Sequence, residues 1–158
     1  MGELHPFVLH FAVGLLLVAP VFDVLGLVLH REALLLAGRW NTLIGAVAAV
    51  LSVLTGLTAE ASLGPHSAAG EALLHIHRAL GFVMLAFVVP VSFWRAGSKL
   101  PLPLRARTVY LAGSFAVAAI VLAQAMLGET LVYRHGVGLS AAARAEPVVR
   151  APPGAEKR

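Results

Sequence analysis

Four uninterrupted apolar stretches, each close to the length of a bilayer crossing, constrain this chain more than any other feature. They run from about Pro6 to Leu29, Thr42 to Ala59, Leu80 to Trp94 and Val109 to Val132, with Asp23 the only charge inside the first. A helix needs roughly 20 apolar residues to cross about 30 Å of hydrocarbon. Three stretches meet that directly, and the third meets it once its helix begins near Ala72 and carries His75, His77 and Arg78 into the interface. Residues of the set AVILMFWYC make up 59% of the 158 and charged residues 13%, against roughly 45–50% and about 25% in soluble chains. So few polar side chains cannot cover a water-facing surface, which excludes a cytosolic enzyme. The expected fold is all-α: an integral membrane four-helix bundle with helices over about 6–29, 42–59, 72–94 and 108–133. Together they form one membrane domain over 1–139, followed by a flexible Ala/Pro/Arg-rich tail over 140–158.

The connections orient the bundle. Residues 30–41 carry Arg31 and Arg39, and residues 95–108 carry Arg95, Lys99, Arg105 and Arg107, whereas residues 1–5 and 60–71 have no Lys or Arg. The positive-inside bias puts the two basic connections in the cytoplasm and both termini on the extracytoplasmic side of a bacterial cytoplasmic (inner) membrane. The net charge of +4 is thereby read as topology and not as nucleic-acid binding. Within the spans, Gly45, Ala49, Ser52 and Gly56 share one face of the second helix, and Ala112, Ala116, Ala119 and Ala123 one face of the fourth. Small-residue stripes of this kind are expected as packing seams. Asp23 is expected to pair with Arg31 or Arg39, the alternatives being that it snorkels or belongs to a proton path.

Cys is absent and there are seven His. Without thiolates there is no disulfide, no cysteine-ligated cluster and no covalently attached c-type haem. On the expected topology, His5, His66, His75, His77 and His135 lie at the outer face, His10 about one turn deeper and His30 inside. Residues 10–14 read His-Phe-Ala-Val-Gly and residues 77–81 read His-Arg-Ala-Leu-Gly, each opening an odd-numbered span. A histidine and the glycine four residues on share a helix face, so Gly14 and Gly81 leave a flat gap beside His10 and His77 that a porphyrin can fill. Bundle interiors commonly hold such cofactors. The expectation is one haem b with His10 and His77 as axial ligands to the iron and with Arg78 and Arg134 meeting its propionates. A second site at His5 and His135 is the extension of the same idea.

These residues support a small b-type cytochrome or haem-binding subunit transferring electrons near the outer face, an electron-transfer protein more than a stand-alone enzyme. Two imidazoles leave no open iron position, so oxygen chemistry is not expected. Its partners would be the lipid bilayer, a quinol or an extracytoplasmic redox protein, within a larger membrane complex. The alternatives are a metal-ion or proton permease using His5, His10, Asp23 and Glu60, and a structural subunit of a membrane complex whose histidines are interfacial.

The opening Leu4-His5-Pro6-x3-His10-Phe11, Asp23, the His77-Arg78 pair and the closing Leu131-Val132-Tyr133-x-His135-Gly136-Val137-Gly138 resemble a bacterial membrane family catalogued as domain of unknown function 2231. The resemblance covers about residues 4–139. It implies a four-span protein in a redox setting, since some members carry fused c-type cytochrome or Rieske-like domains. The family histidines fall on His5, His10, His77 and His135, and His75 is outside the pattern.

Overall fold

The computed structural model describes residues 4–99 and 102–139; the tail expected over 140–158 lies outside them. Four helices follow one another: α1 Leu4–Val28, α2 Glu32–Glu60, α3 Ala68–Gly97 and α4 Leu104–His135. Each is long and apolar enough to cross a membrane. They pack in a ring in chain order, α1 against α2 and α4, α3 against α2 and α4, so α1 and α3 stand diagonally across the interior.

Two helices run well past their apolar stretches. α2 starts at Glu32, ten residues before Thr42, so most of the first basic connection is helical, and α3 continues through Arg95 to Gly97. The turn between α1 and α2 is correspondingly tight. His30 takes the left-handed conformation, with φ 53°, and the Arg31 N–H donates to the Gly26 carbonyl at 2.9 Å. That bond spares an end carbonyl the loss of its partner. α4 ends similarly at Gly136, with φ 62°, whose N–H reaches the Val132 carbonyl at 3.0 Å. The next residue, Val137, is buried, and a Cβ on Gly70 of α3 would lie 3.2 Å from it. The Gly-Val-Gly ending is therefore a helix stop that plugs one end of the bundle.

α1 and α2 approach closely because glycines of α2 receive side chains of α1. A Cβ on Gly38 would meet Asp23 at 2.7 Å, on Gly45 Leu16 at 2.9 Å, and on Gly56 His5 at 3.0 Å. The small-residue stripe of α2 is thus a seam, with Ala49 and Ser52 buried on it. The stripe expected on α4 is not one within this chain: Ala112, Ala119 and Ala123 are exposed, while Ser114, Val117, Ala118 and Val121 face inward. The centre of the bundle is apolar, with Ala12, Leu16, Ala46, Ala49, Met84, Val88, Val117 and Val121 in one cluster. Large apolar residues such as Ile44, Val47, Phe87, Phe115 and Leu122 point outward, as side chains in contact with lipid do.

Candidate functional site

Polar side chains enter the bundle in two layers, one at each end of the apolar centre. His5 and Asp23 mark them, eighteen residues apart on α1, or about 27 Å along a helix.

At the first layer, His5 Nδ1 lies 2.9 Å from the Ser52 carbonyl of α2 and 3.4 Å from Thr55 Oγ1. A carbonyl only accepts, so Nδ1 carries the hydrogen and Nε2 keeps its lone pair. At the same end of the bundle, the imidazole of His77 on α3 lies beside Gly128 of α4. Its Nδ1 is buried without a hydrogen-bond partner among the described residues, as is Gln124 Oε1 of α4. The Gln124 amide donates to the His77 carbonyl at 2.9 Å. Glycines surround these groups: Gly56 lies beside His5, Gly128 beside His77 and Gly81 beside Gln124. Buried polar groups without partners are uncommon and call for an explanation.

Next to this layer is a more exposed chain of charges. Arg78 donates to Glu60 Oε1 at 2.5 Å and to His75 Nδ1 at 2.7 Å. His75 Nε2 faces Glu71 Oε1 at 3.0 Å, and His66 Nε2 faces Glu71 Oε2 at 2.6 Å. This chain ties the loop between α2 and α3 to the start of α3.

The structure rearranges the expected histidine pair. His10 is exposed on α1, its Nδ1 hydrogen-bonded to the Pro6 carbonyl, and a Cβ on Gly14 would meet nothing within 4 Å. Their face points away from the bundle, because the α2 glycines take up the His5, Leu16 and Asp23 face of α1. It is His5, not His10, that turns into the bundle, against Ser52 and Thr55 of α2. Gly81 accommodates Gln124, not a free gap. Arg78 is already paired with Glu60 and His75. Arg134 is exposed, in an open groove of α4 with Glu129 and Tyr133. His135 packs its Cβ near Gly70, so the supposed companion of His5 sits against α3. Among the described residues, no three of His, Cys, Asp and Glu converge as a metal-binding group.

The second layer joins all four helices. Asp23 of α1 is ion-paired with Arg95 of α3, and the two are 2% and 1% exposed. Arg95 Nη2 also donates to the Leu35 carbonyl of α2 at 3.0 Å, and its guanidinium lies over the Tyr110 ring of α4, 4.9 Å from the centroid. The Tyr110 hydroxyl donates to Asp23 Oδ2 at 2.7 Å. Thr42 Oγ1 is 3.2 Å from that hydroxyl and 2.9 Å from the Gly38 carbonyl. The expected partners of Asp23 are replaced for a geometric reason. Arg31 lies in the turn, and Arg39 is spent on the Ala96 and Ser98 carbonyls at the end of α3. Sequence reading missed Arg95 and Tyr110; the one available signal was that both flank a basic connection at the depth of Asp23.

The model of the family described as "Predicted membrane protein (DUF2231)" matches residues 2–141. No curated protein and no solved structure matches the chain.

Proposed function

Because the chain belongs to the DUF2231 family of membrane proteins, we propose that it works within the bilayer as a haem b-binding electron-transfer subunit, held by His5 and His77. The observation that carries this reading is the state of the two imidazoles. His5 gives its Nδ1 hydrogen to the Ser52 carbonyl, the arrangement that orients a histidine whose Nε2 ligates a metal. His77 stands across the bundle with a ring nitrogen, Nδ1, that no group among the described residues satisfies. The two residues come from diagonal helices whose backbones do not pack against each other, and glycines flank both rings. This donor set suits a bis-imidazole iron. Bound there, haem would supply a one-electron carrier. Arg78, beside the layer, would exchange its pairing with Glu60 and His75 to meet its carboxylates.

The remaining assignments follow from the same frame. The Asp23 end carries Arg31, Arg39, Lys99, Arg105 and Arg107, a basic bias that supports a cytoplasmic side for it and an extracytoplasmic side for the His5 layer in a bacterial cytoplasmic membrane. The electron partner would then be a quinol or an extracytoplasmic redox protein, in a larger complex. A proton or ion path is less well supported, since the apolar cluster around Leu16, Ala49, Met84 and Val121 separates the two polar layers.

Haem content of protein purified in detergent from haem-replete cells tests the reading. A Soret band, sharp reduced α and β bands and about one haem per chain by the pyridine haemochrome method are expected. His5→Ala and His77→Ala should each remove them. A colourless, folded wild-type protein overturns the proposal.

A further inference from the structure

Arg95 has a donor that the Asp23 layer leaves unused. Its Nη2 serves Asp23 and the Leu35 carbonyl. Its Nε, on a side chain only 1% exposed, is buried with no hydrogen-bond partner among the described residues. An unpaired buried N–H on a charged group is costly and calls for a partner. Arg95 lines a cleft together with Leu27 of α1, Leu102 of the connection before α4, and Arg107, Tyr110 and Leu111 of α4. The cleft measures about 240 Å³ out to its open mouth, and the enclosed part has room for an oxygen-sized atom.

The surroundings favour negative charge. Arg95 and Asp23 offset each other, whereas Arg107 has no ion pair among the described residues, so the cleft is net positive. The first turn of α4, between Leu102 and Arg107, has no side-chain cap and no acidic residue, and its end N–H groups attract an anion. Arg105 and Arg107 add cations at the positive end of that helix dipole, an arrangement an anion relieves. Water would satisfy Nε but leave this charge uncompensated. A phosphate oxygen is as small as a water, and the other oxygens of the same group can reach the mouth. Asp23 lies five residues before Val28, the last of α1, or about 7.5 Å along the helix, which is close to headgroup depth. The leucine walls suit acyl chains, and a zwitterionic headgroup would bring a cation of its own towards Arg107.

We propose that this cleft binds the phosphodiester of an anionic phospholipid, one oxygen accepting from Arg95 Nε and another from Arg107. The site lies at the opposite end of the bundle from His5 and His77 and stands independently of the haem reading.

Titration of phosphatidylglycerol into the full chain in detergent, followed by native mass spectrometry, tests it. One lipid per chain should be retained, and phosphatidylcholine should bind about ten-fold more weakly or less. Arg107→Gln should weaken retention about ten-fold or more, the effect of one hydrogen bond to a charged group. Arg105→Gln, an equal loss of charge at an exposed position of the same turn, should change it less than two-fold. Arg95→Lys keeps a cation for Asp23 without an Nε–H and should also weaken retention; should it unfold, Arg107→Gln still decides. Equal retention of phosphatidylcholine, no effect of Arg107→Gln, or an equal effect of Arg105→Gln overturns the proposal. Displacement of the lipid by millimolar inorganic phosphate also overturns it, since the site would then take free phosphate and not a headgroup.

Discussion

Asp23 and Arg95 are nearly without solvent, and the groups around them supply the hydrogen bonds that water would otherwise make. Tyr110 donates to one carboxylate oxygen, Arg95 to the other, and Leu35 offers its carbonyl to the guanidinium. Removing one member of such a pair leaves the other buried and uncompensated, at a cost of about 3–5 kcal/mol. Arg95→Met and Asp23→Leu should each lower stability by that order in thermal or denaturant unfolding in detergent. The double variant should recover much of the loss, because neither charge is then stranded. Tyr110→Phe removes one hydrogen bond to a charged group and should cost about 1.5–3 kcal/mol in the same measurement. The charge at Asp23 was legible in the sequence, but its partner was not. The apolar stretch stops at Trp94, so Arg95 looked like the first loop residue, while Arg31 and Arg39 were nearer in sequence. Only the continuation of α3 to Gly97 and the capping duty of Arg39 make Arg95 the counter-ion.

At the level of helices, the α1–α2 seam decides which histidine faces inward. α1 is apolar on every side, so its own sequence gives no direction to its faces. The glycines of α2 set it, by admitting His5, Leu16 and Asp23 where larger residues would clash. Spacing alone puts His5 and His10 on divergent faces but does not choose between them, which is why the His-x-Ala-x-Gly echo pointed to His10. Gly38→Ala and Gly45→Ala should each destabilise the protein by about 1–3 kcal/mol, the usual cost of overpacking. Gly14→Ala should leave its unfolding transition unchanged, since the added methyl meets nothing. If Gly45→Ala proves neutral while Gly14→Ala destabilises, the face assignment is wrong. The small-residue stripe of α4 shows the converse limit: such a stripe announces close approach without saying to what.

For the whole molecule, four spans were readable because apolar length is a direct requirement of the bilayer. The ring order of the helices, the two polar layers and the apolar zone between them needed the packed structure. The proposed orientation is directly measurable, because the chain has no cysteine to replace. In spheroplasts, Ser62→Cys, in the loop between α2 and α3, should react with a membrane-impermeant maleimide. Lys99→Cys, in the connection between α3 and α4, should react only after lysis; the reverse pattern would invert the assignment. The central claim is that His5 and His77, from diagonal helices, hold one iron between them. The most direct measurement is electron paramagnetic resonance of the oxidised protein and of its single-histidine variants. The account predicts a low-spin, bis-imidazole ferric signal in the wild type that is retained in His10→Leu and lost in both His5→Ala and His77→Ala. A wild-type protein without that signal, or one that loses it in His10→Leu and keeps it in His5→Ala, would contradict the account.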